Sequence, residues 1–272
     1  AVVMVNATVA KQPRDGVDFL PLSIEFEEKM YSVGKIPGGY IKREGRPSEK
    51  AILCSRLIDR PLRPLFPKGF YNDIQVIATV LSMDPDVQPE ILGMIGSSAA
   101  LAMSEAPFAG PTGAVAVGMV DGKYIINPTL EERHKSKLNL TVAGTKDAVM
   151  MVEAGANELS EKEMLDAILT AHEEVKKIVA FIEGIAAECG KPKMEVNIYH
   201  PGEAFTELVR EYARDKVEWQ LDTFERKVRE ERSEQVKQEV IEHFAEEYPD
   251  SASDIDMILY NLTKEIVRDK II

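Results

Sequence analysis

The sequence predicts an α+β domain followed by a small all-helical one. Apolar runs of strand length, bounded by turn residues, recur from residue 1 to residue 152. Longer stretches of helical character are packed among and after them. From Glu203 onward almost every residue fits a helix, beyond a stretch, Lys191 to Gly202, whose Pro192 and Pro201 read as a linker.

Residues 1–10 alternate like a half-buried strand entered without a preceding turn, so earlier chain is expected ahead of them. They carry no basic segment of the kind that opens a secretory leader. Leu20, Leu22, Ile24 and Phe26 alternate with Pro21, Ser23, Glu25 and Glu27, a strand buried on one face. Ser48 is placed to cap a short helix bearing Ala51, Ile52, Leu53, Leu57 and Ile58, and Pro61 is expected to stop it. Ile74 to Met83 is apolar on both alternations, which predicts a central strand. Pro89 to Glu105 holds Gly93, Gly96, Ser97, Ser98 and several alanines, a helix small enough to lie close against a sheet.

Val115 to Val120, Asp121-Gly122 and Lys123 to Ile126 form a hairpin signal. Leu138 to Ala143 and Ala148 to Val152 add two strands around Gly144-Thr145. Ser160 with Glu163 makes a capping box. The helix it opens ends at Gly190, and its apolar stripe reads as Met164, Leu165, Ile168, Leu169, Val175, Ile178, Val179 and Ile182. In the last domain Leu208, Tyr212, Val217, Leu221, Phe224 and Val228 recur at helical spacing. A second helical group, Ile255 to Val267, follows a loop in which Ser253 is placed to cap.

Hydrophobic residues make up 44% of the 272, enough for an ordinary core. The net charge of −13 argues against a protein that coats DNA without specificity. Two cysteines are too few for a disulfide scaffold and suit a reducing, cytoplasmic setting. The longest uncharged apolar run, Ile91 to Ser104, falls short of the roughly 20 residues a bilayer requires, so no membrane partner is expected.

Against that acidic background one window stands apart. Gly34 to Phe70 holds nine Lys or Arg against three Asp or Glu. Positive charge gathered at one place on an acidic body fits a single polyanion. Pro37-Gly38-Gly39 reads as a turn, after which Tyr40 stands beside Lys42 and Arg43, with Arg46 following. A ring flanked by cations suits single-stranded nucleic acid, the ring stacking on a base and the cations taking phosphates. A solvated basic loop over a packed Tyr is the plainer alternative. Downstream, Arg56 and Arg60 share a helix face, and Asp59 can pair with either of them or with Arg63. That cluster reads equally as a binding surface and as structural ion pairs around a proline corner.

No catalytic constellation emerges. His134, His172, His200 and His243 are scattered without metal-ligand spacing, and His172 reads as a half-buried surface residue. Asp84 and Asp86 fit a turn, and Gly96-Ser97-Ser98 lacks the surroundings of a phosphate loop or a nucleophile elbow.

The stretch GKIPGGYIKREGRPSEKAILCSRLIDRPLRPLFPKGF resembles the corresponding stretch of the bacterial polynucleotide phosphorylases. The likeness extends through Ile74 to Thr79, Met94 to Ser98, Asn127 to Thr129, Val142 to Thr145 and Met151 to Ala154. It implies a ribonuclease-PH-like fold of the ribosomal protein S5 domain 2-like kind. A first subdomain would occupy 1–108, a second 109–190, a linker 191–202 and an all-helical domain 203–272. It also implies a phosphorolytic 3′-to-5′ exoribonuclease of mRNA degradation, ring-shaped as a homotrimer and able to join an RNA-degradation complex. Inorganic phosphate and nucleoside diphosphates would be its small substrates and products. The family's phosphate-binding serines and its Mg2+-holding carboxylates belong to a second core copy, which this chain does not match. No catalytic or metal residue is therefore assigned here. What carries over is RNA contact: Tyr40, Lys42, Arg43 and Arg46 on the family's loop, and Arg56, Arg60 and Arg63 on its basic cluster. This part alone is expected to bind RNA without degrading it. The rival expectation is a catalytically silent module serving subunit assembly.

Overall fold

The computed structural model describes residues 1–14, 16–17, 19–38, 45–196, 198 and 200–272. It divides into two compact units, Ala1–Ile198 and Tyr199–Ile272.

The first unit runs β1 (Val2–Val9), β2 (Leu22–Glu28), α1 (Glu49–Leu62), β3 (Ile74–Ser82), α2 (Pro89–Met103), β4 (Gly113–Val120), β5 (Lys123–Ile126), α3 (Leu130–Lys135), β6 (Leu138–Gly144), β7 (Val149–Ala156) and α4 (Glu161–Cys189). One sheet has the order β1-β3-β2, the other β5-β4-β6-β7. β3 is central, antiparallel to β1 and parallel to β2, as its doubly apolar sequence requires. β1 forms an outer edge of its sheet and turns Val2 and Met4 to solvent, 53% and 46% exposed.

The second sheet is antiparallel throughout, and Asp121 and Gly122 take positive φ (50° and 75°) at its hairpin. Its strand β4 is buried on both faces, and the alternation sorts residues by size. Ala114 and Ala116 join Phe26, Ile58, Val76 and Leu101 in one core. Val115, Val117 and Met119 join Leu140, Val142 and Val175 in another, beneath α4. α2 lies close to the first sheet, where a Cβ on Gly96 would come within 2.7 Å of Val5 and one on Gly93 within 3.1 Å of Phe26. Ser98 Oγ accepts the Thr112 N–H at 2.7 Å. The Gly-Ser-Ser stretch therefore serves packing.

The structure departs from the sequence reading at several elements. Pro61 does not stop α1; it is buried in the last turn, and a 3₁₀ turn, Arg63–Leu65, follows Leu62. So near the C-terminus a missing N–H costs only one intrahelical bond. On α4 the buried stripe is Ala167, Ala171, Val175, Val179 and Ile182, while Leu165 and Leu169 face solvent. The reason is distance: a Cβ on Gly113 of β4 would meet the Val175 carbonyl at 2.8 Å, so small residues take the contact. The short α3 was not foreseen, although Thr129 and Glu132 form a complete capping box at its start.

Residues 191–196 are bonded to the body of the first unit. The Lys191 N–H donates to Met103 O at 2.9 Å and the Met194 N–H to Glu105 O at 2.8 Å. Lys193 Nζ donates to the carbonyls of Leu101, Ala102 and Ser104, each at 2.9 Å, capping the end of α2. Burial pushes that ammonium below its usual range.

The second unit comprises α5 (Glu203–Leu221), α6 (Arg226–Phe244) and α7 (Ala252–Ile271). Phe205, Val209, Ala213 and Val217 make the buried face of α5 against Val240 of α6 and Leu262 of α7. The expected stripe coincides with that face only in part: Val217 is buried and Tyr212 and Leu221 pack against the core, but Leu208 is exposed and Phe224 lies fully exposed in the break between α5 and α6. Ser253 falls inside α7, whose N-cap is Ser251. Among the described residues no helix is long and apolar enough to cross a membrane.

Candidate nucleic-acid interface

The basic window folds chiefly as α1. Ser48 Oγ accepts the Ala51 N–H at 3.1 Å, the N-cap that the sequence supplies. Ala51, Cys54, Ile58, Pro61 and Leu62 face the core. Ser55 Oγ accepts the Phe26 N–H at 3.0 Å and donates to Ala51 O, pinning the helix against β2. The opposite stripe carries Glu49, Ile52, Leu53, Arg56 and Arg60 to solvent, with Ile52 52% and Leu53 56% exposed.

Three arginines along this helix and its end are held differently. Arg56 is exposed and has no hydrogen-bond or ion-pair partner among the described residues. Arg60 reaches across to β7 and pairs with Glu153, both side chains about half exposed, 48% and 60%. Arg63 is locked: its guanidinium donates to both Asp59 oxygens, at 2.8 and 2.7 Å, and to the carbonyls of Leu20 and Leu22, each at 3.1 Å. Those bonds tie the end of α1 to the start of β2. A guanidinium so occupied acts by positioning the helix rather than by meeting a ligand.

Near the other end, Arg46 is exposed, also without a partner among the described residues. It lines a groove of about 350 Å³ between Glu27 to Met30 and Gly45 to Ser48. Lys50 is occupied, donating to Glu28 at 2.7 Å. Burial works to lower its pKa, but the hydrogen bond and charge of Glu28, with Glu90 beyond, hold it above the usual lysine range. On the inner face burial, helped by the charge of Glu90, pushes the Cys54 thiol up to about 11, which leaves it unreactive near neutral pH. Tyr40, Lys42 and Arg43 lie outside the described residues.

The other candidates resolve into structural roles. His172 Nε2–H donates to Thr145 O at 2.9 Å. Asp84 Oδ1 accepts the Asp86 N–H at 3.0 Å in a turn, and Asp86 Oδ1 accepts the Leu130 N–H at 2.9 Å. Among the described residues no group of three or more His, Cys, Asp or Glu is arranged to hold a metal ion. No residue among those described is therefore assigned to Mg2+, and no chemical step is assigned to a metal held by them. Glu153 was missed by sequence reasoning; it lies 93 residues from Arg60, and no local pattern links them.

Three family models match. Residues 1–107 match domain 1 of the 3′ exoribonuclease family, and residues 110–174 match its domain 2. Residues 204–272 match the model described as polyribonucleotide nucleotidyltransferase, RNA binding domain. A protein from Clostridioides difficile (strain 630) is 62% identical over 90% of this chain and 35% of its own length. Proteins from Caldicellulosiruptor saccharolyticus and Alkaliphilus oremlandii are each 56% identical over 99% of this chain and 38% of their own length. All three are called polyribonucleotide nucleotidyltransferase. The chain thus spans little more than a third of the curated relatives it matches. Among solved structures, rice (Oryza sativa) Rrp46 superposes with a TM-score of 0.54 at 14% identity, covering 68% of this chain and 83% of its own. That likeness shows the ribonuclease-PH-like fold alone.

Proposed function

The chain belongs to the polyribonucleotide nucleotidyltransferase family, and from that premise we propose that it is the RNA-positioning part of a phosphorolytic 3′-to-5′ exoribonuclease. The observation that carries this reading is the outer stripe of α1. A chain of net charge −13 keeps Arg56 exposed and unpaired there, among the described residues, with Arg60 one turn on and Arg46 ahead of the helix. A cation left without a protein counter-charge is the arrangement a phosphate backbone completes.

In this reading Tyr40 stacks on a base while Lys42, Arg43 and Arg46 hold flanking phosphates, and Arg56 and Arg60 continue the track. Arg63 serves the track by fixing α1. The rival reading, a cluster of structural ion pairs, fits Arg63 and leaves Arg56 unexplained. In the whole enzyme an oxygen of inorganic phosphate attacks the terminal phosphorus. The bond to the preceding ribose 3′ oxygen breaks, a nucleoside diphosphate departs, and the reverse reaction polymerises. Mg2+ would support that chemistry on residues outside this chain. Homotrimer assembly, an RNA-degradation complex, mRNA turnover and a cytoplasmic setting complete the proposal, as does the division at 1–108, 109–190, 191–202 and 203–272.

A second RNA-contacting region has its own support. The helical unit matches a model described as RNA-binding, yet its net charge is −8. Its exposed Trp219 carries the Arg232 guanidinium 4.5 Å from the ring centroid, and Phe224, five residues on in the chain, is also exposed. Rings of this kind suit bases better than phosphates.

The test is fluorescence anisotropy of a labelled oligoadenylate across a salt series, with Lys42, Arg43 and Arg46 together changed to Ala. Binding that weakens with salt is expected. The triple variant should lose affinity and flatten the log–log slope by about 0.7 for each phosphate contact removed. Equal slopes for the two proteins would reject the loop as a phosphate clamp. Phosphate-dependent release of nucleoside diphosphates by the purified chain would overturn its assignment as a positioning part.

A further inference from the structure

The pairing of Arg60 has a partner that the RNA reading does not use. Glu153 stands on β7, the outer strand of the second sheet, and reaches α1 of the first core. Arg56 on the same stripe has no such partner among the described residues, and Arg63 has four bonds. Charge on this face is thus graded: one guanidinium open, one exchangeable, one fixed. The pair is half exposed, and exposed pairs of this kind contribute little, so an incoming anion displaces one partner at small cost. A phosphodiester offers a guanidinium the same two-oxygen geometry as a carboxylate.

We propose that Glu153 is a built-in competitor for RNA phosphate at Arg60, a positioning residue that sets how tightly the α1 stripe holds the strand. The inference rests on the RNA-track reading above. When the strand arrives, its phosphate takes the Arg60 guanidinium and Glu153 turns back to solvent. The carboxylate thereby weakens the track and favours movement of the strand along it over tight capture. Ile52 and Leu53, exposed on the same stripe, offer apolar contact to bases or riboses without adding charge.

The test compares Glu153→Gln, Arg60→Ala, the double variant and Arg56→Ala in the full chain, by anisotropy of labelled oligoadenylate in a salt series, with a thermal melt for each. Glu153→Gln should bind about two- to five-fold tighter at low salt, the range an exposed pair supports. Its log–log slope should steepen by at most about 0.7, for one phosphate contact strengthened. That gain should vanish in the Arg60→Ala background, since the carboxylate acts through this guanidinium. An equal gain with Arg60 absent would mean long-range charge, and would overturn the competitor. No gain while Arg56→Ala still weakens binding would also overturn it, leaving the RNA track standing. If Arg56→Ala binds as the parent does, the track itself fails. Glu153→Asp, which keeps the charge on a shorter arm, should fall between the parent and Glu153→Gln.

Discussion

Arg63 and Arg56 differ by two turns of chain and carry opposite expectations. Removing the Arg63 side chain deletes four hydrogen bonds and leaves the Asp59 carboxylate unpaired. Arg63→Ala should therefore destabilise the first unit by about 1–3 kcal/mol, discounted for an environment that is partly solvent. A thermal melt should show it as a fall of about 2–4 °C per kcal/mol for a unit of this size. Arg56→Ala touches no bond among the described residues and should leave the melt unchanged while weakening RNA binding. Equal melts for the two variants would remove the distinction between them. Spacing alone made Arg56 and Arg60 neighbours on one face. It could not tell which arginine was open, because the carbonyls that hold Arg63 lie 41 and 43 residues away and Glu153 lies 93 away.

At the scale of elements, α4 and β4 approach more closely than their sequences announce. Gly113→Ala would set a methyl against the Val175 carbonyl and should cost about 1–3 kcal/mol by overpacking. Gly184, in the same helix as Val175, has nothing within 4 Å of an added Cβ. Gly184→Ala should stabilise by roughly 0.5–1 kcal/mol through helix propensity. Chemical denaturation of the two variants checks both signs, and a stable Gly113→Ala would contradict the packing. What was legible was local: the Asp121-Gly122 hairpin, the capping box at Ser160 and the doubly apolar β3 all carry their instructions in adjacent residues. The phase of a stripe is a different matter. Leu165 and Leu169 of α4 and Leu208 of α5 fall in the expected buried stripes but face solvent, whereas Val175, Val179, Ile182 and Val217 of the same stripes are buried. On α4 the buried side begins with Ala167 and Ala171, on a helix that comes close to β4 at Gly113. The break between α5 and α6 was invisible for a related reason: Asp222 to Glu225 contains no Gly or Pro to mark it.

At the scale of the molecule, a focused cationic stripe sits on a strongly acidic chain, and the two potential RNA contacts answer to different forces. Trp219→Ala with Phe224→Ala should change oligoadenylate affinity by less than about twofold if phosphates on the α1 stripe dominate. A larger loss with an unchanged salt slope would move the weight to stacking on the helical unit. The outer edge of the first sheet adds a constraint to every such titration. β1 presents eight uncharged residues, without proline, along an edge on which no further strand pairs among the described residues, a template on which a second copy of the chain can add its own. At low ionic strength the −13 charge keeps copies apart, and added salt removes that barrier. Salt thus loosens RNA and gathers protein in the same tube. Colloidal stability, rather than affinity, sets the upper concentration at which the chain's behaviour is its own.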